Sequence, residues 1–316
     1  MNEQTSVTNQ KVEDFFPVQD VDYLEIYTGN AKQATHYFCT AFGFKPVAYS
    51  GLETGNRETV SYVLQQRKIR LVITGSYKED TRVSQFVKQH GDGVKDIALL
   101  FDDVEKAYNE SVSRGAIAIT PPYEIKDEHG VVKKAVIGTY GDTIHTLVER
   151  KNYIGAFMPG YVPYEGSLPV KDAGLIAIDH VVGNVERMPE WVDYYANVMG
   201  FKEMKHFTDK DITTEYSALM SKVMHNGGRI KFPINEPAEG KRKSQIQEYL
   251  EFFNGTGVQH LAILTEDIIG TVRILRDNGV EFLSTPDSYY EMLSERVGQI
   301  DEEIDKIKEL NILVDR

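Results

Sequence analysis

The sequence predicts an α+β fold built from tandem modules, each a strand, a helix and further strands, arranged as two halves. Three observations carry this expectation. Segments of the second half overlay segments of the first, short alternating runs outnumber amphipathic helices, and a glycine- and proline-rich stretch lies between the halves. At 316 residues the chain can form two domains that each bury a core.

The first module opens with VDYLEIYTGNAKQATHYFCTAFGFK, Val21 to Lys45, an alternating strand running into an amphipathic helix that stops at Gly43. The run TVSYVLQQRKIRLVITGS follows as antiparallel strands joined by a tight turn. The second module begins at Gly93 with GVKDIALLFDDVEKAYNESVSRGAIAITPP, which reads as a strand, a helix stopped at Gly115, and a strand ending in Thr-Pro. KKAVIGTYGDTIHTLVER supplies its remaining strands. Gly155 to Gly174 has no sustained period and reads as a linker, placing the boundary near Glu165 and dividing the chain into 1–165 and 166–316. The third module, Ile178 to Lys202, repeats the first, with Asp179 over Asp22 and Gly200-Phe201-Lys202 over Gly43-Phe44-Lys45. The fourth, from Gly257, repeats the second, with Gly279 over Gly115. It is expected to hold a strand, a helix, the strand VEFLST and then one long amphipathic helix from Tyr289 to Leu310, along which Met292, Val297, Ile300, Ile304 and Ile307 recur. The last module is thus expected to be incomplete, with an unpaired sheet edge, as in a C-terminally shortened chain.

Composition narrows the function. With 35 Lys plus Arg against 48 Asp plus Glu, the net charge of −13 argues against a nucleic-acid partner. A single cysteine, Cys39, excludes an internal disulfide and fits a reducing compartment. No apolar run is long enough to span a membrane, and the start does not read as a secretory signal, so a cytoplasmic protein is expected.

Two positions of the repeat differ in a way that bears on chemistry. His180 in IDHVVGNVE stands where the first half has Tyr23, and His260 in GVQHLAILTED stands where it has Asp96. Strict alternation puts Ile178, His180 and Val182 on one face, and Val258, His260, Ala262 and Leu264 on one face, so the imidazoles can meet at a common cavity. A histidine on an apolar face needs a partner, because burying an unpaired polar group costs about 1–3 kcal/mol. Two neutral imidazoles and one carboxylate on one side of Fe(II) leave positions open for a bidentate substrate and O2. The sequence offers no carboxylate to complete that set: Asp179 should alternate away from His180, and Asp301, Glu302, Glu303 and Asp305 read as the solvated face of the last helix. His36, His90, His129, His206 and His225 read as surface or local hydrogen-bonding residues, and His145 as structural. The run GKRKS from Gly240 lacks the spacing of a phosphate loop and reads as an exposed turn.

Several motifs resemble the 4-hydroxyphenylpyruvate dioxygenase family of the vicinal oxygen chelate superfamily, over nearly the whole chain. They are IDHVVGNV at Ile178, PINEPAEGKRKSQIQEYL at Pro233, GVQHLAILTEDI at Gly257, YYEMLSERVGQIDEEI at Tyr289 and NYIGAFMPGY at Asn152. The resemblance implies two halves of paired βαβββ modules, each curling into an open β-barrel, with iron in the C-terminal half only. It implies Fe(II) held by His180, His260 and a glutamate from a C-terminal segment absent from this sequence; Thr146 falls about where that glutamate would lie in the first half. The implied substrate is the aromatic 2-oxo acid 4-hydroxyphenylpyruvate, held near Ser221, Asn235, Gln245 and Gln259. The implied reaction with O2 gives homogentisate and CO2 in tyrosine catabolism, catalysed by a homo-oligomer. Without the glutamate, the 316-residue polypeptide is expected to be impaired or inactive. Two other readings accompany this one. A hydroxymandelate synthase type would oxidise the benzylic carbon of the same substrate, but the intact PINEP motif with Asn235 leans away from it. A non-catalytic binder of aromatic acids on the same scaffold is the reading the missing ligand favours.

Overall fold

The computed structural model describes residues 14–166, 168, 170–204, 219–238 and 243–314. Its first module is β1 (Asp20–Tyr27), α1 (Ala31–Phe42), β2 (Lys45–Ser50), β3 (Thr59–Gln66) and β4 (Ile69–Ser76). A helix, α2 (Arg82–His90), leads into the second, made of β5 (Gly93–Leu100), α3 (Val104–Ser113), β6 (Ala118–Asp127), β7 (Gly130–Gly138) and β8 (Ile144–Glu149). A two-residue strand, β9 (Val162–Pro163), breaks the irregular segment between the halves. The third module is β10 (Leu175–Asn184), α4 (Met188–Met199), β11 (Lys202–Glu203), β12 (Leu219–His225) and β13 (Lys231–Pro237). Then come α5 (Gln245–Phe252), β14 (Gly257–Thr265) and α6 (Ile268–Asp277). Among the described residues no helix is long and apolar enough to cross a membrane.

Local chemistry explains the recurring strand–helix unit. Asn30 caps α1 by accepting from the Gln33 amide, and Asp267 caps α6 by accepting from Gly270. Gly43 ends α1 at φ 77°, a left-handed conformation that glycine adopts without cost, and a Cβ there would stand 2.2 Å from the Lys171 carbonyl. The start of α4 lacks a side-chain cap of its own, and Glu236 from β13 fills the gap by accepting from the Met188 amide at 2.6 Å.

The first sheet runs β6-β7-β8-β5-β1-β4-β3-β2-β9 and the second β11-β12-β13-β10-β14. The order β2-β3-β4-β1-β5 in one is the order β11-β12-β13-β10-β14 in the other, so the internal repeat is a repeat of topology. Tyr23, Ala48, Val63, Val72, Ala98, Val132 and Val148 come from seven strands yet share one apolar cluster on one face, which requires the first sheet to curl around it. The opposite face packs on the helices and on the second half in a single large core.

Two bulges recur at equivalent places and decide which side chains face inward. In the β1–β5 pair, Val21 opposes Leu99 but Tyr23 opposes Ala98, leaving Asp22 extra; Glu25 opposes Asp96 but Ile26 opposes Val94, leaving Lys95 extra. In the β10–β14 pair, Ile178 opposes Ile263 but His180 opposes Ala262, leaving Asp179 extra; Val182 opposes His260 but Gly183 opposes Val258, leaving Gln259 extra. Each bulge resets the alternation. Ile178 and Val258, which strict alternation puts beside the histidines, pack against the large core instead.

Four further expectations are corrected. VEFLST forms no strand: the chain from Val280 to Pro286 is irregular, and among the described residues β14 pairs only with β10. The expected long helix is three short ones, α7 (Asp287–Glu291), α8 (Leu293–Val297) and α9 (Ile304–Glu309). Met292 and Gly298 break it, and Tyr290, Leu293, Val297 and Ile307 fold back on each other as a small separate core. The third concerns His90, which is buried rather than on the surface; its ring nitrogens lie 2.5 Å from the Phe253 carbonyl and 2.9 Å from Asp142, and it stacks on the Phe253 ring. The strand after α3 does not end at Thr-Pro but continues to Asp127, with one register break just before the prolines and a second across them. His206 and most of GKRKS lie outside the described residues.

The halves are locked by buried polar contacts as well as apolar packing. His145 on β8 is fully buried, donates Nδ1–H to the Ile97 carbonyl at 2.9 Å and accepts at Nε2 from the Tyr195 hydroxyl on α4 at 2.9 Å. The same hydroxyl lies 2.9 Å from Thr139 Oγ1. Replacing Tyr195 with Phe leaves His145 Nε2 without a partner, and a loss of about 1–3 kcal/mol is expected in denaturant titrations. Burial pushes the His145 imidazole down to about 4, whereas an unfolded histidine titrates near about 6.5. The unfolded chain therefore takes up the proton first, so this ring's contribution is complete above about pH 6.5 and is lost as the pH falls towards 4. Melting temperatures should drop across that window in the wild type, with a shallower slope in His145→Gln.

Candidate metal centre

His180 and His260 meet because β10 and β14 are antiparallel neighbours. The Val182–His260 pairing sets the two rings with centroids 5.9 Å apart and planes at 73°. His180 is half-buried and His260 more open. Burial, reinforced by the nearby His180, holds the His260 imidazole below its ordinary value, which favours the neutral form a metal ligand requires.

Each ring has its Nδ1 engaged by the bulged residue before it. Asp179 Oδ2 lies 2.8 Å from His180 Nδ1, and Gln259 Oε1 lies 2.9 Å from His260 Nδ1. The bulge removes the expected obstacle to Asp179 sharing the cavity with His180, but both its oxygens are taken, the second by Lys231 Nζ at 2.8 Å. Burial alone would raise the Asp179 carboxyl; the hydrogen bonds and charges of Lys231 and His180 outweigh it and hold the group below the usual range.

The rings open onto a cavity of about 400 Å³, a size suited to a small organic molecule. Ser221 and Asn235, which oppose each other across β12 and β13, line it with both histidines. Its remaining walls are mainly apolar, from Val182, Met204, Leu219, Val223 and Pro233. Gln259 borders instead a neighbouring groove between α1 and β14, which also reaches His260. Gln245 is exposed at the first turn of α5 and is not among the residues lining the cavity. Among the described residues no three His, Cys, Asp or Glu side chains converge as a metal-binding group. Lys231 is the charged wall residue that sequence reasoning missed, although RIKFPIN from Arg229 overlays KIRLVIT from Lys68 and sets Lys231 on Arg70.

The equivalent place in the first half is filled. Tyr23 donates to Asp96 Oδ2 at 3.2 Å, and Thr146 donates to the same carboxylate through Oγ1 at 2.5 Å and through its amide at 2.9 Å. The three positions expected to correspond to a ligand triad thus form a closed hydrogen-bonded group. Ser61 and Thr74, the counterparts of Ser221 and Asn235, bond each other at 2.8 Å, and Thr74 donates to Glu25 Oε1 at 2.6 Å. Glu25 stands where the second half has Val182.

Comparison with known proteins adds the family. The hydroxyphenylpyruvate dioxygenase N-terminal profile matches residues 14–157, and that of the Glyoxalase/Bleomycin resistance protein/Dioxygenase superfamily matches residues 177–309. A 4-hydroxyphenylpyruvate dioxygenase from Yarrowia lipolytica is 45% identical over 313 residues, 93% of this chain and 79% of that protein. The chain belongs to the 4-hydroxyphenylpyruvate dioxygenase family. The Dictyostelium discoideum 4-hydroxyphenylpyruvate dioxygenase is 43% identical, covering 94% of this chain and 85% of its own length. A solved mutant of 4-hydroxymandelate synthase from Streptomyces coelicolor superposes with a TM-score of 0.81 at 30% identity, over 95% of this chain and 85% of that one. The α+β vicinal oxygen chelate fold and the dioxygenase class expected from the sequence hold for this family member.

Within the filled first-half site, burial raises the Glu25 carboxyl to about 7 against the opposing hydrogen bond from Thr74, and nearby Asp96 adds to the rise. The folded protein therefore holds this proton to higher pH than the unfolded chain; the associated stability is complete below about pH 4.5 and is lost as the pH rises to about 7. Glu25→Gln, which is neutral throughout, should melt above the wild type at pH 8, with the gap closing towards pH 4.5. A gap that does not change with pH would contradict this account.

Proposed function

We propose that this chain acts as a 4-hydroxyphenylpyruvate dioxygenase, converting 4-hydroxyphenylpyruvate and O2 to homogentisate and CO2, with His180 and His260 as ligands of Fe(II). In this reading the chain comprises two vicinal oxygen chelate units divided near Glu165, and the second is catalytic. The observation that carries it is the convergence of both histidines with Ser221 and Asn235 on one cavity, in a chain 41–45% identical to 4-hydroxyphenylpyruvate dioxygenases.

The donor set fits two positions of such a centre: two imidazoles with Nδ1 engaged elsewhere and Nε2 free to bind. The carboxylate of a two-histidine, one-carboxylate site is not found among the described residues. When bound, ferrous iron supplies a centre that chelates the 2-oxo acid and activates O2.

The chain's own residues supply orientation and an apolar lining. The walls from Val182, Met204, Leu219, Val223 and Pro233 offer an apolar surface to an aromatic ring. Ser221 contributes a hydroxyl and Asn235 an amide, able to hold polar groups of the substrate across the ring. Lys231 and Asp179 neutralise each other in the wall, so neither leaves an unmatched charge there. Gln245 and Gln259 belong to the proposed substrate contacts through the family resemblance.

The test is product analysis with ferrous iron, ascorbate and air. Where turnover occurs, homogentisate is the expected product, and it should be lost in His180→Ala and His260→Ala. Accumulation of 4-hydroxymandelate would favour the benzylic oxidation of hydroxymandelate synthase. Binding of 4-hydroxyphenylpyruvate that ignores added metal and survives both histidine changes would favour a non-catalytic aromatic-acid binder.

A further inference from the structure

The repeat gives Asp179 a history that its position beside a ligand histidine does not reveal. Its first-half counterpart, Asp22, occupies the same bulge, next to Tyr23 rather than a histidine. Asp22 is buried between two cations, with Arg70 at 2.9 Å and Arg150 on its other oxygen. Asp179 keeps one cation, Lys231 in the place of Arg70, and gives its other oxygen to His180 Nδ1. The carboxylate thus anchors the bulge in both halves, and in the second half an imidazole takes the place of one cationic partner.

That exchange has a chemical consequence. An ionised carboxylate only accepts hydrogen bonds, so a neutral His180 facing it at 2.8 Å carries its proton on Nδ1 and its free lone pair on Nε2. Lys231, reaching from β13, fixes the carboxylate by its other oxygen at 2.8 Å and so sets the plane in which the ring is held. With both oxygens committed, Asp179 is poorly placed to serve as a third ligand.

We propose that Asp179 is a positioning residue, clamped by Lys231, that selects the Nδ1–H tautomer of His180 and aims Nε2 into the cavity. The inference rests on His180 being a metal ligand, and its main test needs no metal. Nitrogen-15 NMR of the metal-free, full-length chain, with the His180 signals assigned by their loss in His180→Gln, should show the proton on Nδ1. In Asp179→Ala the population should move towards Nε2–H, and the Kd for Co(II), measured by calorimetry, should rise about 10–100-fold. Asp179→Asn retains an acceptor oxygen without the charge and should keep the Nδ1–H tautomer, separating a hydrogen-bond role from a through-space charge effect.

Three results would overturn the proposal: His180 protonated at Nε2 in the wild type, an unchanged tautomer and Co(II) affinity in Asp179→Ala, or Asp179→Asn behaving as Asp179→Ala. If Asp179→Ala does not fold, the wild-type and Asp179→Asn spectra still decide. Co(II) binding that is undiminished in His180→Ala and His260→Ala would instead remove the ligand reading beneath the proposal, and is told apart because the tautomer is read without metal.

Discussion

The antiparallel pairing of each module's opening strand with that of its partner module is the constraint on which the rest depends. β1 with β5, and β10 with β14, bring residues distant in sequence into fixed register, and two bulges in each pair turn selected side chains inward. A regular ladder would leave Asp179 and His180 on opposite faces, and likewise Gln259 and His260. The extra residue in each bulge lets two consecutive side chains work together, one displayed to the cavity and one holding it. Because the same irregularities occur where the first half has no histidine, they belong to the scaffold before they belong to the chemistry.

Two uses of one frame follow. In the first half, Tyr23, Asp96, Thr146, Ser61, Thr74 and Glu25 satisfy one another, and several are fully buried. In the second, histidines replace Tyr23 and Asp96, and the apolar Val182 replaces Glu25, so donors face an open volume. A closed polar network rigidifies a core, whereas groups whose partners are withheld remain available to a ligand. The difference between a structural half and a binding half therefore reduces to a few side chains on the same strands.

Much of this was legible in the sequence, and the misses have physical causes. The repeat located both histidines, their first-half replacements and the helices stopped by Gly43 and Gly200, because period and turn chemistry are local signals. The bulges were not legible: nothing in IAIDHVVG announces that Asp179 lacks an opposite residue, since that is a property of the pair. The run from Val280 to Thr285 has the composition of a strand but no neighbouring strand edge among the described residues, and β structure is stabilised by its partners. Apolar spacing suggested one helix after Tyr289, but Gly298 at φ 74° ends the turn, and the resulting pieces pack on each other. His90 read as a surface or locally hydrogen-bonded residue, yet its partners, Phe253 and Asp142, lie far away in sequence.

The position of β14 at the rim of its sheet has a thermodynamic side. Among the described residues this strand has one hydrogen-bonded neighbour, β10, and rim strands fray more readily than interior ones. His180 and His260 lie one on each of these strands, so any ligand held by both rings acts as a cross-link between the rim and the sheet. Ligand affinity and the reluctance of that rim to peel away are then one linked free energy, and whatever loosens β14 weakens binding by the same amount.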